Sequence, residues 1–133
     1  MLPLTAASRD GRSEVIRLGI DDPAGSSIRL VRAGGEETVH AGVDLFECLQ
    51  GVRRHLESEG LLVCCQGARP GVFPSGMSRQ MSNGRYAYPL RRDPPLTDAD
   101  LVDIFAPAEI SEVGTVDDQR RAVAKFFGFP GGG

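Results

Sequence analysis

The sequence predicts an α+β fold in which a small, mostly antiparallel sheet is packed by two helices. Residues 13–20 and 27–34 alternate apolar and polar side chains, which is typical of strands with one buried face. Residues 44–59 instead carry apolar side chains at helical spacing, and residues 116–127 do so again near the end of the chain. These two periodicities in one short chain indicate helices packed on a sheet.

Length and composition limit the alternatives. The chain has 133 residues, of which 41% are apolar and 25% charged, so we expect one globular domain over residues 1–128. Residues 129–133 are expected to form a flexible, glycine-rich tail. The formal net charge of −3 excludes a general attraction to nucleic acid or to an anionic membrane.

The first third of the chain predicts a β-hairpin. Residues 1–12 show no sustained pattern and are expected to be a loose leader. Residues 13–20 and 27–34 are the two strands, and residues 21–27 between them contain the Asp, Pro and Gly that turns favour.

The most clearly patterned element is a helix over residues 44–59. Asp44 followed three residues later by Glu47 resembles a capping box, and Gly60 supplies a stop. Its apolar stripe consists of Leu45, Leu49, Val52 and Leu56. The short apolar run at 61–65 then predicts a buried strand.

The second half is rich in glycine and proline. Residues 66–83 are expected to be mostly irregular, with one helical turn at 77–81, and strands are predicted at 84–90 and 101–105. A short helix capped by Thr97, with Asp100 at its third position, is the alternative at 96–105. Thr115 can cap a final helix at residues 116–127. The predicted order along the chain is therefore β-β-α-β-β-β-α.

Charge is segregated in this half of the chain. From Arg69 to Arg92 there are five arginines and no acid, whereas from Asp93 to Asp118 there are eight acids and no base. Either the two blocks neutralise each other in space, or one of them is a working face for a partner. The candidate partner-binding residues are Asp98, Asp100, Asp103, Glu109 and Glu112.

The loop at 66–85 is a candidate anion site. Its glycines allow close backbone approach, and arginine forks with hydroxyl donors are typical phosphate ligands. The candidate donors are Arg69, Ser75, Ser78, Arg79 and Arg85. Their spacing matches neither common phosphate-binding motif, so a structural loop that pairs with the acidic block is the alternative.

The residues that could carry covalent or metal chemistry are few. The three cysteines, Cys48, Cys64 and Cys65, form a poor disulfide framework and are expected to be reduced and partly buried. With His40 and His55 they show no metal-ligand spacing, so we expect no metal and no cofactor. The chain has neither a signal-peptide pattern nor a membrane-length apolar run, which favours a cytoplasmic location.

One segment carries a family resemblance. The stretch CCQGARPGVFPSGMSRQMSNGRYAYPL at 64–90, followed by DLVDIF at 100–105, resembles a core found in small uncharacterised bacterial proteins. Some of these accompany polymorphic toxins as immunity proteins. The resemblance implies a bacterial protein that binds and neutralises a toxin, and it assigns no site residues.

Three hypotheses on function follow. The first is a non-enzymatic immunity-type protein that occludes a toxin, with the acidic block against a basic nuclease. The second is a domain or enzyme that uses the 66–85 loop to bind a phosphorylated or carboxylated ligand. The third is a ubiquitin-like modifier, because strand-strand-helix-strand opens a β-grasp domain and the chain ends in Gly131-Gly132-Gly133, although a helix precedes this tail.

Overall fold

A computed structural model of the chain describes residues 1–20 and 27–128 and confirms the α+β class. The regular elements are β1 (Leu2–Ala7), β2 (Ser13–Gly19), β3 (Ser27–Val31), β4 (Glu37–Ala41), α1 (Leu45–Glu57), β5 (Leu62–Val63), β6 (Val72–Phe73), α2 (Gly76–Ser82), β7 (Tyr86–Pro89), β8 (Val102–Asp103) and α3 (Val116–Phe127). Single 3₁₀ turns lie at Gln66–Ala68, Asp98–Asp100 and Ile110–Glu112.

Five strands form an antiparallel sheet in the order β4-β3-β2-β1-β5. The hairpin predicted at 13–34 is confirmed, since β2 pairs with β3 and Leu18 lies opposite Leu30. Of the turn expected at 21–27, residues 21–26 lie outside the described residues, and Ser27 begins β3. The expected tail at 129–133 also lies outside them.

The prediction of a loose leader at 1–12 is wrong. Residues Leu2–Ala7 form β1, which pairs with both β2 and β5, and its side chains alternate so that Leu4 and Ala6 are buried. This alternation is short and contains a proline, which obscured it. Pro3 is tolerated because it lies in the part of β1 that has a strand on one side only.

The predicted element order β-β-α-β-β-β-α is also incomplete. Four strands precede α1, because the segment at 37–41, which the sequence analysis left unassigned, forms β4. The helical turn expected at 77–81 is α2, a third helix, and the 101–105 strand shortens to Val102–Asp103. It joins β6 and β7 in a second, three-stranded antiparallel sheet.

The helix predicted at 44–59 is confirmed as α1. The Asp44 carboxylate accepts a hydrogen bond from the Glu47 backbone N–H at 2.8 Å, which satisfies an otherwise unpaired donor of the first turn. Gly60 follows its end with φ +78°, a left-handed conformation that favours glycine. The stripe of Leu45, Leu49, Val52 and Leu56 is buried against the sheet.

One continuous apolar core joins the two halves of the molecule. Ile16, Ile28 and Leu30 face α1 from the large sheet, and Ile104 and Phe105 complete the core from the second half. Burial of this apolar surface is the main source of folding free energy. Within residues 1–20 and 27–128, no helix is long and apolar enough to cross a membrane.

A histidine pair links β4 to α1. His40 on β4 packs over Gly51, where an added Cβ would lie 3.2 Å from the His40 Cβ, so glycine allows this close approach. The ring of His40 meets that of His55 edge to face with centroids 5.4 Å apart, and its Nε2 lies 2.8 Å from Thr38 Oγ1. Burial and the neighbouring His55 lower the pKa of His40 below 6.5.

This lowered pKa makes the stability of the fold depend on pH. The unfolded chain takes up a proton at His40 near pH 6.5, whereas the folded chain does so only at lower pH, so stability is lost as pH falls between these two values. We expect the free energy of unfolding, measured in urea titrations, to decrease less in His40→Gln than in wild type as the pH falls from about 7 to about 5.

The pKa shifts of the carboxylates do not mask this effect. The salt-bridged Glu14 and Asp100 have lowered pKa values, so their contributions are lost only below pH 4.5, and the raised pKa of Glu57 is common to both proteins. If the free energy of unfolding fell equally steeply with pH in wild type and His40→Gln between about pH 7 and about pH 5, a lowered pKa of His40 would be contradicted.

Candidate functional site

The basic and acidic blocks of the sequence face each other in the fold. Three ion pairs join them: Arg85–Asp103 at 3.1 Å, Arg91–Asp100 at 3.1 Å and Arg69–Glu112 at 3.9 Å. The basic block therefore neutralises part of the acidic block, which is the arrangement that relieves repulsion within each. Among the described residues, Asp98 and Glu109 of the five candidate partner-binding acids are exposed and form no ion pair.

The five candidate anion donors are all engaged within the chain. Arg79 donates from Nη1 to Asp44 Oδ2 at 2.7 Å and lies over the rings of Phe46 and Phe73, at 5.4 and 5.3 Å from their centroids. Ser75 and Ser78 form the capping box of α2, with their hydroxyls 2.7 Å apart. An anion at Arg79 would have to compete with a buried carboxylate.

The remaining basic side chains are held in the same way. Arg69 donates to Gln66 at 2.9 Å, and Arg85 stacks over the Phe105 ring at 5.3 Å. Arg92 lies 4.1 Å from the Phe126 ring centroid and donates to the Phe126 carbonyl. Arginine pairing and stacking of this kind fasten loops to a core. The 66–92 segment is thereby fixed by its own cations.

A buried polar network surrounds Arg53, and it was not predicted from the sequence. This side chain of α1 is 1% exposed, and its guanidinium donates to Gln119 Oε1 at 2.6 Å and to the carbonyls of Gly67 and Gly114 at 3.1 and 3.2 Å. Gln119 in turn donates from Nε2 to the carbonyls of Gly67, Arg69 and Val72. The network therefore ties α1 and α3 to the irregular segment between them.

A sequence signal for this network exists. Arg53 lies four residues after Leu49, and Gln119 three residues after Val116, so both polar residues fall on the apolar faces of their helices. Burial lowers the pKa of Arg53, and its Nε lies 3.9 Å from a Glu57 carboxylate oxygen. Polar residues on an apolar stripe are expected to be paired with one another.

The N-terminus of α3 is closed by the chain itself. Both oxygens of the half-buried Glu57 carboxylate accept from the Val116 backbone N–H, at 3.1 and 3.3 Å. Thr115 and Asp118 form the capping box of the same helix. The positive end of the helix dipole is thus matched by carboxylates of the protein. Burial outweighs these contacts and raises the pKa of Glu57.

The cysteines are placed away from reactive surroundings. Cys48, Cys64 and Cys65 are unpaired and buried, as predicted from their spacing. Burial raises the pKa of each thiol, that of Cys65 to about 12, so the nucleophilic thiolate is disfavoured. Within the described ranges, no three metal-ligating side chains converge on one point.

The outward face of the large sheet carries exposed apolar side chains among the described residues. Helix α1 packs on the inner face only, and the opposite face presents Val15 and Val39, which are 58% and 67% exposed. At the β1 side this face continues into a groove of about 510 Å³. The groove is lined by Pro3, Leu4, Thr5, Ala7, Val15, Cys64, Pro107, Ala108, Glu109 and Ile110. Glu109 is the one candidate partner-binding acid in this lining.

The comparisons with known proteins add no assignment. No protein-family model matches the chain, and no curated protein matches it. The outward sheet face with its adjoining groove is therefore the candidate site on geometry: it combines exposed apolar side chains, a concave surface and a carboxylate that forms no salt bridge within residues 1–20 and 27–128.

The Arg79–Asp44 pair tests whether the candidate anion donors are held by acceptors of the chain itself. Asp44→Asn keeps a helix-capping side chain and removes the charge, and Arg79→Met removes the cation but keeps an apolar stem. We expect a double-mutant cycle in urea to give a coupling free energy of about 1 kcal/mol, because the Asp44 side chain is only 6% exposed.

The matched control is the exposed pair Arg121–Asp118 on α3, for which Asp118→Asn likewise keeps a capping residue. Its coupling should be a few tenths of a kcal/mol, as for other exposed pairs on helices. The interpretation fails if the two cycles give the same coupling.

Proposed function

We propose that this chain is a non-enzymatic, cytoplasmic protein-binding domain of the bacterial immunity type, which neutralises a toxin by occluding its active site. The observation that carries the proposal is the open outward face of the five-stranded sheet, which runs into the groove beside Glu109. An exposed apolar surface next to a concave one is typical of protein-binding sites.

The composition of this face supports a protein partner. The strand register places Thr5 opposite Val15, Arg17 opposite Val31, and Arg29 opposite Val39, so valines alternate with arginines across the sheet. Interfaces combine an apolar centre with arginines in the same way. A rigid sheet also binds with little loss of conformational entropy.

The Glu109 carboxylate suggests that the partner presents a cationic group. The Glu109 side chain lies in the groove lining and caps the 3₁₀ turn Ile110–Glu112, but it has no salt-bridge partner among the described residues, so its negative charge can attract a cationic group of another protein. In a nuclease active site, a carboxylate occupies the place of a substrate phosphate and competes with it. Of the acidic block, Asp98 is exposed as well, whereas Asp100, Asp103 and Glu112 already hold arginines.

The chemistry of the remaining residues favours binding over catalysis. The thiols are buried with raised pKa values, and the candidate anion donors are bound to their own carboxylates and carbonyls. Unpaired thiols also agree with a reducing compartment. Binding by a preformed surface needs none of these groups to ionise or move.

The test uses the protein encoded beside this chain in its source genome. We expect its toxicity to be relieved by co-expression, and the purified pair to form a complex in calorimetry. Glu109→Lys and Val15→Asp should each raise the dissociation constant by roughly 30-fold, equivalent to about 2 kcal/mol.

The control variant is Val43→Asp, which changes a 77% exposed valine in the connection between β4 and α1. It should bind as wild type does. A complex that ignores Glu109→Lys and Val15→Asp would contradict the proposed face. Stabilisation by small anions that is lost in Arg79→Met or Arg85→Met would instead support the ligand-binding alternative.

A further inference from the structure

The two edges of the large sheet are treated differently. At the β5 edge, the segment at 106–108 covers the chain just after β5. Ala108 donates to the Cys64 carbonyl at 3.1 Å, and Gln66 donates to the Ala106 carbonyl at 2.8 Å. Cys65 and Pro107 form an isolated antiparallel β-bridge. The β4 edge has no strand beyond it in the described part of the chain. Its sequence, Glu-Thr-Val-His-Ala, contains no proline or lysine to block pairing.

The hydrogen-bond phase of β4 follows from the hairpin it forms with β3. Arg32 donates to the Glu36 carbonyl at 2.8 Å, and the register opposes Leu30 to Thr38 and Ile28 to His40. Because hydrogen-bonded and non-hydrogen-bonded pairs alternate, the backbone N–H and C=O groups of Thr38 and His40 form hydrogen bonds with β3. The N–H and C=O groups of Glu37, Val39 and Ala41 therefore point to the open edge.

This set of three residues is complementary to itself. When two β4 strands meet antiparallel about a two-fold axis at Val39, Val39 opposes Val39 of the second copy, and Glu37 opposes Ala41. An axis at Glu37 would oppose two carboxylates, which is unfavourable, and an axis at Ala41 leaves most of the strand unpaired. Axes at Thr38 or His40 would form two hydrogen-bonded pairs instead of three. Charge and length thus select the Val39 register.

We propose that β4 pairs with β4 of a second copy, so that the chain forms a two-fold symmetric dimer with one continuous ten-stranded sheet. About six backbone hydrogen bonds form between the copies, two at each of the three pairs. The exposed Val39 side chains pack on each other at the axis. Such an isologous contact closes on itself and leaves no open edge at β4.

Sedimentation equilibrium of the full chain tests this. We expect a species of twice the 14.2 kDa chain mass that dissociates on dilution. Val39→Glu opposes two carboxylates at the axis, whereas within one copy the side chain at this position is 67% exposed and tolerates a charge. This variant should raise the dimer dissociation constant about tenfold or more.

A second variant examines the backbone contribution. Val39→Pro removes an N–H that points to the open edge, so the β3–β4 ladder of one copy keeps its hydrogen bonds, and it should also weaken the dimer. The matched control is Val15→Glu, an exposed valine of the same face on the inner strand β2, which should dimerise as wild type does. Circular dichroism checks the fold of each variant.

Two results would overturn the proposal. One is a wild-type chain that sediments as a monomer at every concentration used. The other is a dimer whose dissociation constant is the same in Val39→Glu and Val39→Pro as in the Val15→Glu control. Because the proposed toxin-binding face is tested at Glu109 and Val15, the two proposals can fail independently.

Discussion

The buried guanidinium of Arg53 is the interaction on which the second half of the molecule depends. A charge removed from water is costly unless most of its donors are satisfied. Here Nη1 and Nη2 donate to Gln119 of α3 and to two carbonyls of the loops around it, whereas Nε makes no hydrogen bond and lies 3.9 Å from the Glu57 carboxylate. These loops contain little regular structure of their own. Polar contacts therefore hold the residues from Gln66 to Val72 and the start of α3 to α1. The apolar core adjoins these contacts.

The same principle explains the segregated charge of the sequence. A segment with glycines and prolines buries few backbone hydrogen bonds, so side chains must fix it, and arginines do so by pairing with Asp44, Asp100 and Asp103 and by stacking on aromatic rings. Much of the charge that looked available for a partner is therefore structural. What remains exposed is the outward sheet face, where valines alternate with arginines, with Glu109 at its groove.

Periodic elements could be predicted from the sequence because a single face of each is buried. Helix α1, helix α3 and the β2–β3 hairpin follow from their apolar spacing and caps. Strand β1 was missed because Pro3 interrupts a short alternation. Strand β4 was missed because the polar Thr38 and His40 occupy its half-buried positions while Val39 is exposed, so it has no apolar face to recognise. The Arg53–Gln119 contact spans 66 residues, so no local pattern could pair them, although each sits visibly on an apolar stripe.

Native-state hydrogen exchange of wild type and Gln119→Ala measures whether the Arg53 network holds the second half of the molecule. In wild type we expect the amides of Gly67, Val72 and Gly114, all hydrogen-bonded within this region, to exchange only with global unfolding, as those of α1 do. Gln119→Ala should lower their protection by about 2 kcal/mol or more, because a buried cation loses an acceptor, while β2 and β3 keep theirs. Unchanged protection at these three amides in Gln119→Ala would show that the Arg53–Gln119 contact does not hold this segment.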